Sequence, residues 1–86
     1  MDFRMVNVGY GNSINARSIR AIISSEASPV KRMIVEARKY NKVIDVTHGH
    51  KTVSVIVLKD DFIVLSSFSR EILAKRVNEE IGRWKK

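Results

Sequence analysis

The segment TVSVIVL (52–58) is apolar on both sides of any strand that it forms. Val53, Val55 and Val57 alternate onto one face, and Ile56 and Leu58 onto the other, because successive strand side chains point to opposite faces. Such a strand needs cover above and below, which places it at the centre of a sheet. A chain of 86 residues has room for one core and one domain, residues 1–86. Either two helices divide the faces, or they cover one and a neighbouring copy covers the other face or an edge. The second arrangement makes homo-oligomerisation the natural expectation for so small a domain.

The remaining segments supply the partners. FRMVNV (3–8) alternates as a short strand, and GYGN (9–12) breaks it with two glycines. RSIRAIIS (17–24) alternates again, with Ile19, Ala21 and Ile23 on one side and Arg20 and Ile22 on the other. Ser28 and Pro29 open a helix, the hydroxyl as cap and the proline at the first helical position. That helix is expected to end near Tyr40 or Asn41. KVIDVT (42–47) and FIVLSS (62–67) read as strands on either side of 52–58, joined by hairpin connections at THGHK and at KDD (59–61). Ser69 caps a last helix, onto which Phe68 staples through Leu73. The expected order is ββαβββα, a small α+β domain with a mainly antiparallel sheet and two helices.

Several chemistries have little to stand on. The absence of cysteine removes disulfides, thiolate metal sites and cysteine nucleophiles together. His48 and His50 have only Asp45 nearby, whereas zinc wants three or four ligands. No nucleophile, base and orienting group form a set, and the serines fit caps and strand faces better. GYGN is too short for a dinucleotide fingerprint, and a G-x-x-x-x-G-K loop is missing. The expectation is a non-enzymatic protein without metal, cofactor or small-molecule substrate. Apolar runs fall far short of a membrane span, and MDFRMVNV lacks the pattern of a signal peptide. A cytoplasmic location follows as an expectation.

Charge points to a partner. Sixteen Lys and Arg stand against nine Asp and Glu, a net charge of +7, which attracts polyanions and most commonly nucleic acid. Residues 1–51 hold nine of the basic and four of the acidic residues. On a helical wheel, Val30, Met33, Ile34, Ala37 and Tyr40 gather on the core side of the first helix. Lys31, Arg38 and Lys42 line up opposite, flanked by Arg32 and Lys39, with Glu36 at the border. Solvated helix faces normally mix signs, so this one is suited to phosphates. The second helix mixes them, with Glu71 four residues before Lys75 and Glu79 four before Arg83. Its apolar stripe is Leu73, Val77, Ile81 and Trp84, the last a core or interface anchor.

NVGYGN (7–12), SPVKRMIVEAR (28–38) and VIDVTHGHKT (43–52) resemble, in order and spacing, the RemA family of bacterial regulators (extracellular matrix regulatory protein A). The likeness runs without gaps to about Leu65. It implies a small DNA-binding protein that assembles into closed rings and wraps or bridges double-stranded DNA in transcriptional control, a family with a role in biofilm regulation. The family proline near the subunit contact matches Pro29. A Tyr-Gly-Arg-Arg loop falls on His48, Gly49, His50 and Lys51, and its second basic position contributes to DNA binding. Lys51 keeps that charge without the bidentate fork of arginine. A second functional arginine falls on Ser18, with Arg17 immediately before it.

On this resemblance, THGHK is a hairpin tip whose Gly49 permits the turn and whose Lys51 faces DNA. His50 adds a contact that gains charge in mildly acidic solution, and His48 is structural. Arg17, Arg20 and Lys51 are the first phosphate contacts, with Ser18 and His50 beside them and Lys31, Arg32 and Arg38 behind. Arg32 has an alternative role, pairing with an acid such as Glu26 across a subunit contact near Pro29. The rival readings are an RNA-binding protein, for which Tyr10 is the one plausible exposed aromatic, and a scaffold for an acidic protein partner.

Overall fold

In a computed structural model, which describes residues 4–84 and the side chains of 4–82, the strand rich in valine is buried along its whole length. It is β5 (Ser54–Leu58), and the other elements are β1 (Met5–Gly9), β2 (Asn12–Asn15), a 3-10 turn (Ala16–Ser18), β3 (Ile19–Ser24), α1 (Val30–Lys39), β4 (Val43–Asp45), β6 (Ile63–Ser66) and α2 (Arg70–Trp84). The main sheet has the order β3-β5-β6-β4, and β1 with β2 makes a separate two-stranded sheet. The α+β class stands, with six strands in two sheets. Among the described residues no helix is long and apolar enough to cross a membrane.

The two faces of β5 are divided between the helices. Val55 and Val57 pack with Ile63, Leu65 and Val30, and Met33, Ile34 and Ala37 of α1 close over them. Ile56 and Leu58 pack with Val64, Val6, Val8 and Leu73, the last from α2. The β1–β2 hairpin shares the second face with α2. Both faces are therefore covered within one chain, so of the two places expected for a neighbouring copy, the other face or an edge, the edges at β3 and β4 are left.

Three differences from the sequence reading have identifiable physical causes. The strand β2 went unread because Asn12, Ser13 and Asn15 surround one apolar residue, Ile14, and leave no alternation to detect. In β3 the register steps from Ile19 opposite Leu58 to Ala21 opposite Val57, so Arg20 is an inserted bulge residue. The bulge turns Ile19 onto the α2 face with Ile22, while Ala21 and Ile23 face α1. Ile19 thus parts from the two residues with which simple alternation grouped it.

The third difference is topological. β4 pairs with β6, in parallel, and not with β5. The Val46 N–H donates to Leu65 O at 3.0 Å and the Val53 N–H to Ser66 O at 2.9 Å, so residues 47–52 arch over the C-terminal end of β6. THGHK is a crossover, not the tip of a hairpin. The connection at residues 59–61 is a true hairpin, closed by the Leu58 N–H on Phe62 O at 2.8 Å.

The helix ends also differ in detail. Pro29 occupies the N-cap of α1 and no side chain caps that helix; the Ser28 hydroxyl does not. The helix stops at Lys39, so Tyr40 leaves the wheel and is 69% exposed, contrary to its expected core position. Lys42, just past the helix, lies over the Phe62 ring at 5.9 Å. Ser69 caps α2 as expected, its Oγ accepting from the Ile72 N–H at 3.2 Å. Glu71 pairs with Arg70 at 3.6 Å and not with Lys75. The side chains of Arg83 and Trp84 lie outside the described residues.

Candidate functional site

The expected site residues fall into two groups at opposite ends of the main sheet. β3 and β5 are antiparallel, with Ser24 opposite Ser54 and Ile19 opposite Leu58. Arg17, Ser18 and Arg20 stand at the Leu58 end, where the Lys59 N–H donates to Ser18 O at 2.8 Å. Lys51 lies beyond the Ser54 end. The four residue steps from Ser54 to Leu58 span about 13 Å, and Lys51 lies three residues beyond Ser54. One chain therefore does not gather Arg17, Arg20 and Lys51 into one cluster.

At the first end, Asn15 sets the turn by accepting from the Arg17 N–H at 2.9 Å. The bulge pushes Arg20 outward, and its guanidinium meets Asp61 at 3.5 Å, both side chains well exposed. An exposed pair of this length contributes little and is easily exchanged for another anion. Ser18 is half-buried and carries no charge, so it contributes position only.

At the second end, Lys51 shares a cleft of about 700 Å³ with Lys31, Glu26, Ser25 and Ile34. His48, Gly49, His50 and Lys51 are all exposed. The segment starts from a tight local network: the Asp45 carboxylate accepts from the Thr47 hydroxyl at 2.6 Å and from the Thr47 N–H at 2.9 Å. The hydroxyl bond first, and then the N–H bond, holds the Asp45 carboxyl below its ordinary value, with Arg38 adding to the effect against a small opposing cost of burial. Asp45 is thus engaged as a turn anchor. Among the described residues no group of three or more His, Asp or Glu side chains is placed to hold a metal ion.

Sequence reading did not foresee what meets this segment from across the molecule. Tyr10, at the β1–β2 turn, stacks on both histidine rings, with centroids 5.2 Å from His48 and 5.1 Å from His50. The turns are far apart in sequence, and no local pattern links them. The only hint was that each turn carries a ring beside a glycine.

The helix α1 divides its cations. Lys31, Arg32 and Arg38 are exposed, while Lys39 is drawn to Glu36 at 3.6 Å. Arg32 and Pro29 line a separate groove of about 660 Å³ with Arg20, Met33, Tyr40 and Val57. Glu26 belongs to the other cleft, so Arg32 and Glu26 lie on different surface patches.

The family described as RemA-like, extracellular matrix regulatory protein A-like, matches residues 5–77. Curated relatives from Bacillus cytotoxicus, Bacillus mycoides and Bacillus cereus are each 45% identical over 80 residues, covering 93% of this chain and 92% of theirs. Each carries the name "Putative regulatory protein".

Proposed function

The chain belongs to the RemA-like family, and from that premise we propose that it is a non-enzymatic regulator that binds double-stranded DNA as a homo-oligomer. The observation that carries the reading is the state of its cations. Lys31, Arg38 and Lys51 are exposed, and among the described residues none of the three is in an ion pair. Cations left in this state suit a polyanion, whose counterions they displace. Lys51 supplies a point charge to phosphate, which favours sequence-tolerant contact over base recognition.

The separation of the two basic ends favours a track over a pocket. The Ser54–Leu58 span of about 13 Å is the rise of about four base pairs, short enough for one duplex to run past both ends of the sheet. Repetition of these ends around an assembly would add weak contacts together, provided the DNA bends to meet them. The apolar groove at Pro29, Met33 and Tyr40, rimmed by Arg32, supports a subunit contact there. A contact from Arg32 to a neighbour's Glu26 would join two different patches, and such head-to-tail interfaces generate rings when the rotation closes.

Fluorescence anisotropy on matched duplex DNA and RNA across a salt series tests the reading, with light scattering for the assembly. The expected result is preferential DNA binding that falls steeply with salt and weakens in Lys51→Ala. Absence of binding to either nucleic acid at low salt overturns it.

A further inference from the structure

The contacts of Tyr10 lie beside the basic corner without carrying charge. Its ring plane makes 8° with that of His50 and 23° with that of His48. Both turns that meet here use left-handed backbone, with φ of 50° at Tyr10 and 53° at His48. Residues with a Cβ hold such conformations only where surrounding contacts enforce them.

The hairpin side of the contact is firmly seated. Ser66 Oγ donates to Val8 O at 2.7 Å in a buried bond. A Cβ placed on Gly9 would come 3.5 Å from Val46 O and 4.0 Å from the Phe68 ring, so the turn rests directly on the start of the crossover. Arg76 of α2 covers that Phe68 ring at 4.8 Å and donates to Asn7 O at 3.1 Å. The crossover side is looser. The His50 N–H closes a turn on Thr47 O at 3.0 Å, and Lys51 follows before Val53 rejoins the sheet.

We propose that Tyr10 is a positioning residue for the Lys51 corner, holding residues 48–51 by stacking on both histidines and holding them more firmly when those rings are protonated. Both centroid distances lie within the roughly 6 Å over which a cation is attracted to an aromatic face. Protonation thus does two things at one place: it adds positive charge beside Lys51, and it tightens the segment that carries Lys51. Tyr10 faces the rings from the hairpin turn, Lys51 follows on their own segment, and Lys31 lies across the cleft. Asp45 is taken up by Thr47, and among the described residues neither histidine is in an ion pair. Glu26, which lines the same cleft as Lys31 and Lys51, is a carboxylate that shares the response with Tyr10.

The inference rests on the DNA-binding reading for its functional consequence, and its test separates the two. Duplex affinity is measured at pH 8.0 and 5.5 at one ionic strength for the wild type, Tyr10→Phe, Tyr10→Leu and the double variant His48→Gln/His50→Gln. Wild type and Tyr10→Phe are expected to gain roughly tenfold on acidification, as two added charges displace counterions. Tyr10→Leu is expected to bind less tightly at both pH values with a smaller gain, and the double variant to show little gain. An unchanged Tyr10→Leu, or a full gain in the double variant, overturns the proposal. Histidine ring-proton NMR reads the same contact without DNA. The wild type is expected to show resonances shifted by the Tyr10 ring current, which relax in Tyr10→Leu. Failure of the wild type to bind DNA sinks the DNA reading alone, whereas unmoved histidine resonances sink the positioning role.

Discussion

Ser66 and Val8 are 58 positions apart, yet the Ser66 hydroxyl donates a 2.7 Å hydrogen bond to the Val8 carbonyl, and both residues are fully buried. The same oxygen accepts from the Phe68 N–H at 3.1 Å. One side chain thus joins the N-terminal hairpin, the end of β6 and the entry to α2. Ser66→Ala leaves a buried carbonyl without its partner, at a cost of about 1–3 kcal/mol. Urea unfolding is the measurement, and a loss within 0.5 kcal/mol, as on an ordinary surface, would show that water replaces the hydroxyl. Ser66→Val is expected to be no better, because the carbonyl still lacks a donor.

The core prediction contrasts two apolar residues. Ile56 is completely buried on β5, and Val35 on α1 is 56% exposed. Ile56→Ala should cost about 2–5 kcal/mol, the usual range for removing buried methyl groups from a packed site. For Val35→Ala the change should be within about 0.5 kcal/mol. A similar loss at both positions in chemical denaturation would mean that Val35 is covered in solution, which would place a partner on the outer face of α1.

Much of this architecture is legible in the chain because it depends on local period. The alternation in TVSVIVL placed Val53, Val55 and Val57 against Ile56 and Leu58; Val55 and Val57 do part from Ile56 and Leu58 in that way, whereas Val53 precedes β5 and is exposed. The serine before α2 announced its cap. What escaped reading depends on pairing between distant segments. Parallel pairing of β4 with β6 has the same local pattern as a hairpin with β5, so THGHK looked like a tip. The Arg20 bulge is a property of two strands together, and it moved Ile19 to the other face. Tyr40 failed because a wheel assumes that the helix continues, and α1 stops one residue earlier. At the candidate site, the exposed cations were legible residue by residue. Their division between two ends of a sheet, and the Tyr10 stack, were not.

Asp45 supplies a pH prediction whose sign follows from its network. Its folded carboxyl is held below the ordinary value of 3.8, chiefly by the Thr47 hydroxyl and then by the Thr47 N–H. A carboxyl depressed in the folded state contributes stability above its unfolded value, and that contribution is lost as pH falls through the lower folded value. The Asp45 contribution is therefore intact at pH 7, begins to fall near pH 3.8 and is gone only below the folded value. Thr47→Val removes the 2.6 Å bond and should cost about 1 kcal/mol near neutrality. The penalty should shrink in strong acid, where the carboxyl is protonated in both states. Thermal unfolding of both proteins from pH 7 to pH 2 measures it, and a constant difference across that range would assign the loss to packing alone.

The last prediction separates binding from folding at the two basic ends. Arg20 meets Asp61 at 3.5 Å with both side chains exposed, and such pairs contribute about 0–1 kcal/mol. Lys51 has no ion pair among the described residues. Arg20→Ala and Lys51→Ala should therefore leave stability nearly unchanged. If each cation meets one phosphate, either change should weaken duplex binding and reduce the salt slope by about one unit. Their combination should reduce it by about two, because the ends are about 13 Å apart along the sheet and do not share a contact. Lys75, exposed on α2, is the control, and Lys75→Ala should leave the slope unchanged. An equal effect from all three would indicate diffuse attraction to the net charge of +7. An effect at Lys51 alone would confine the track to the crossover end.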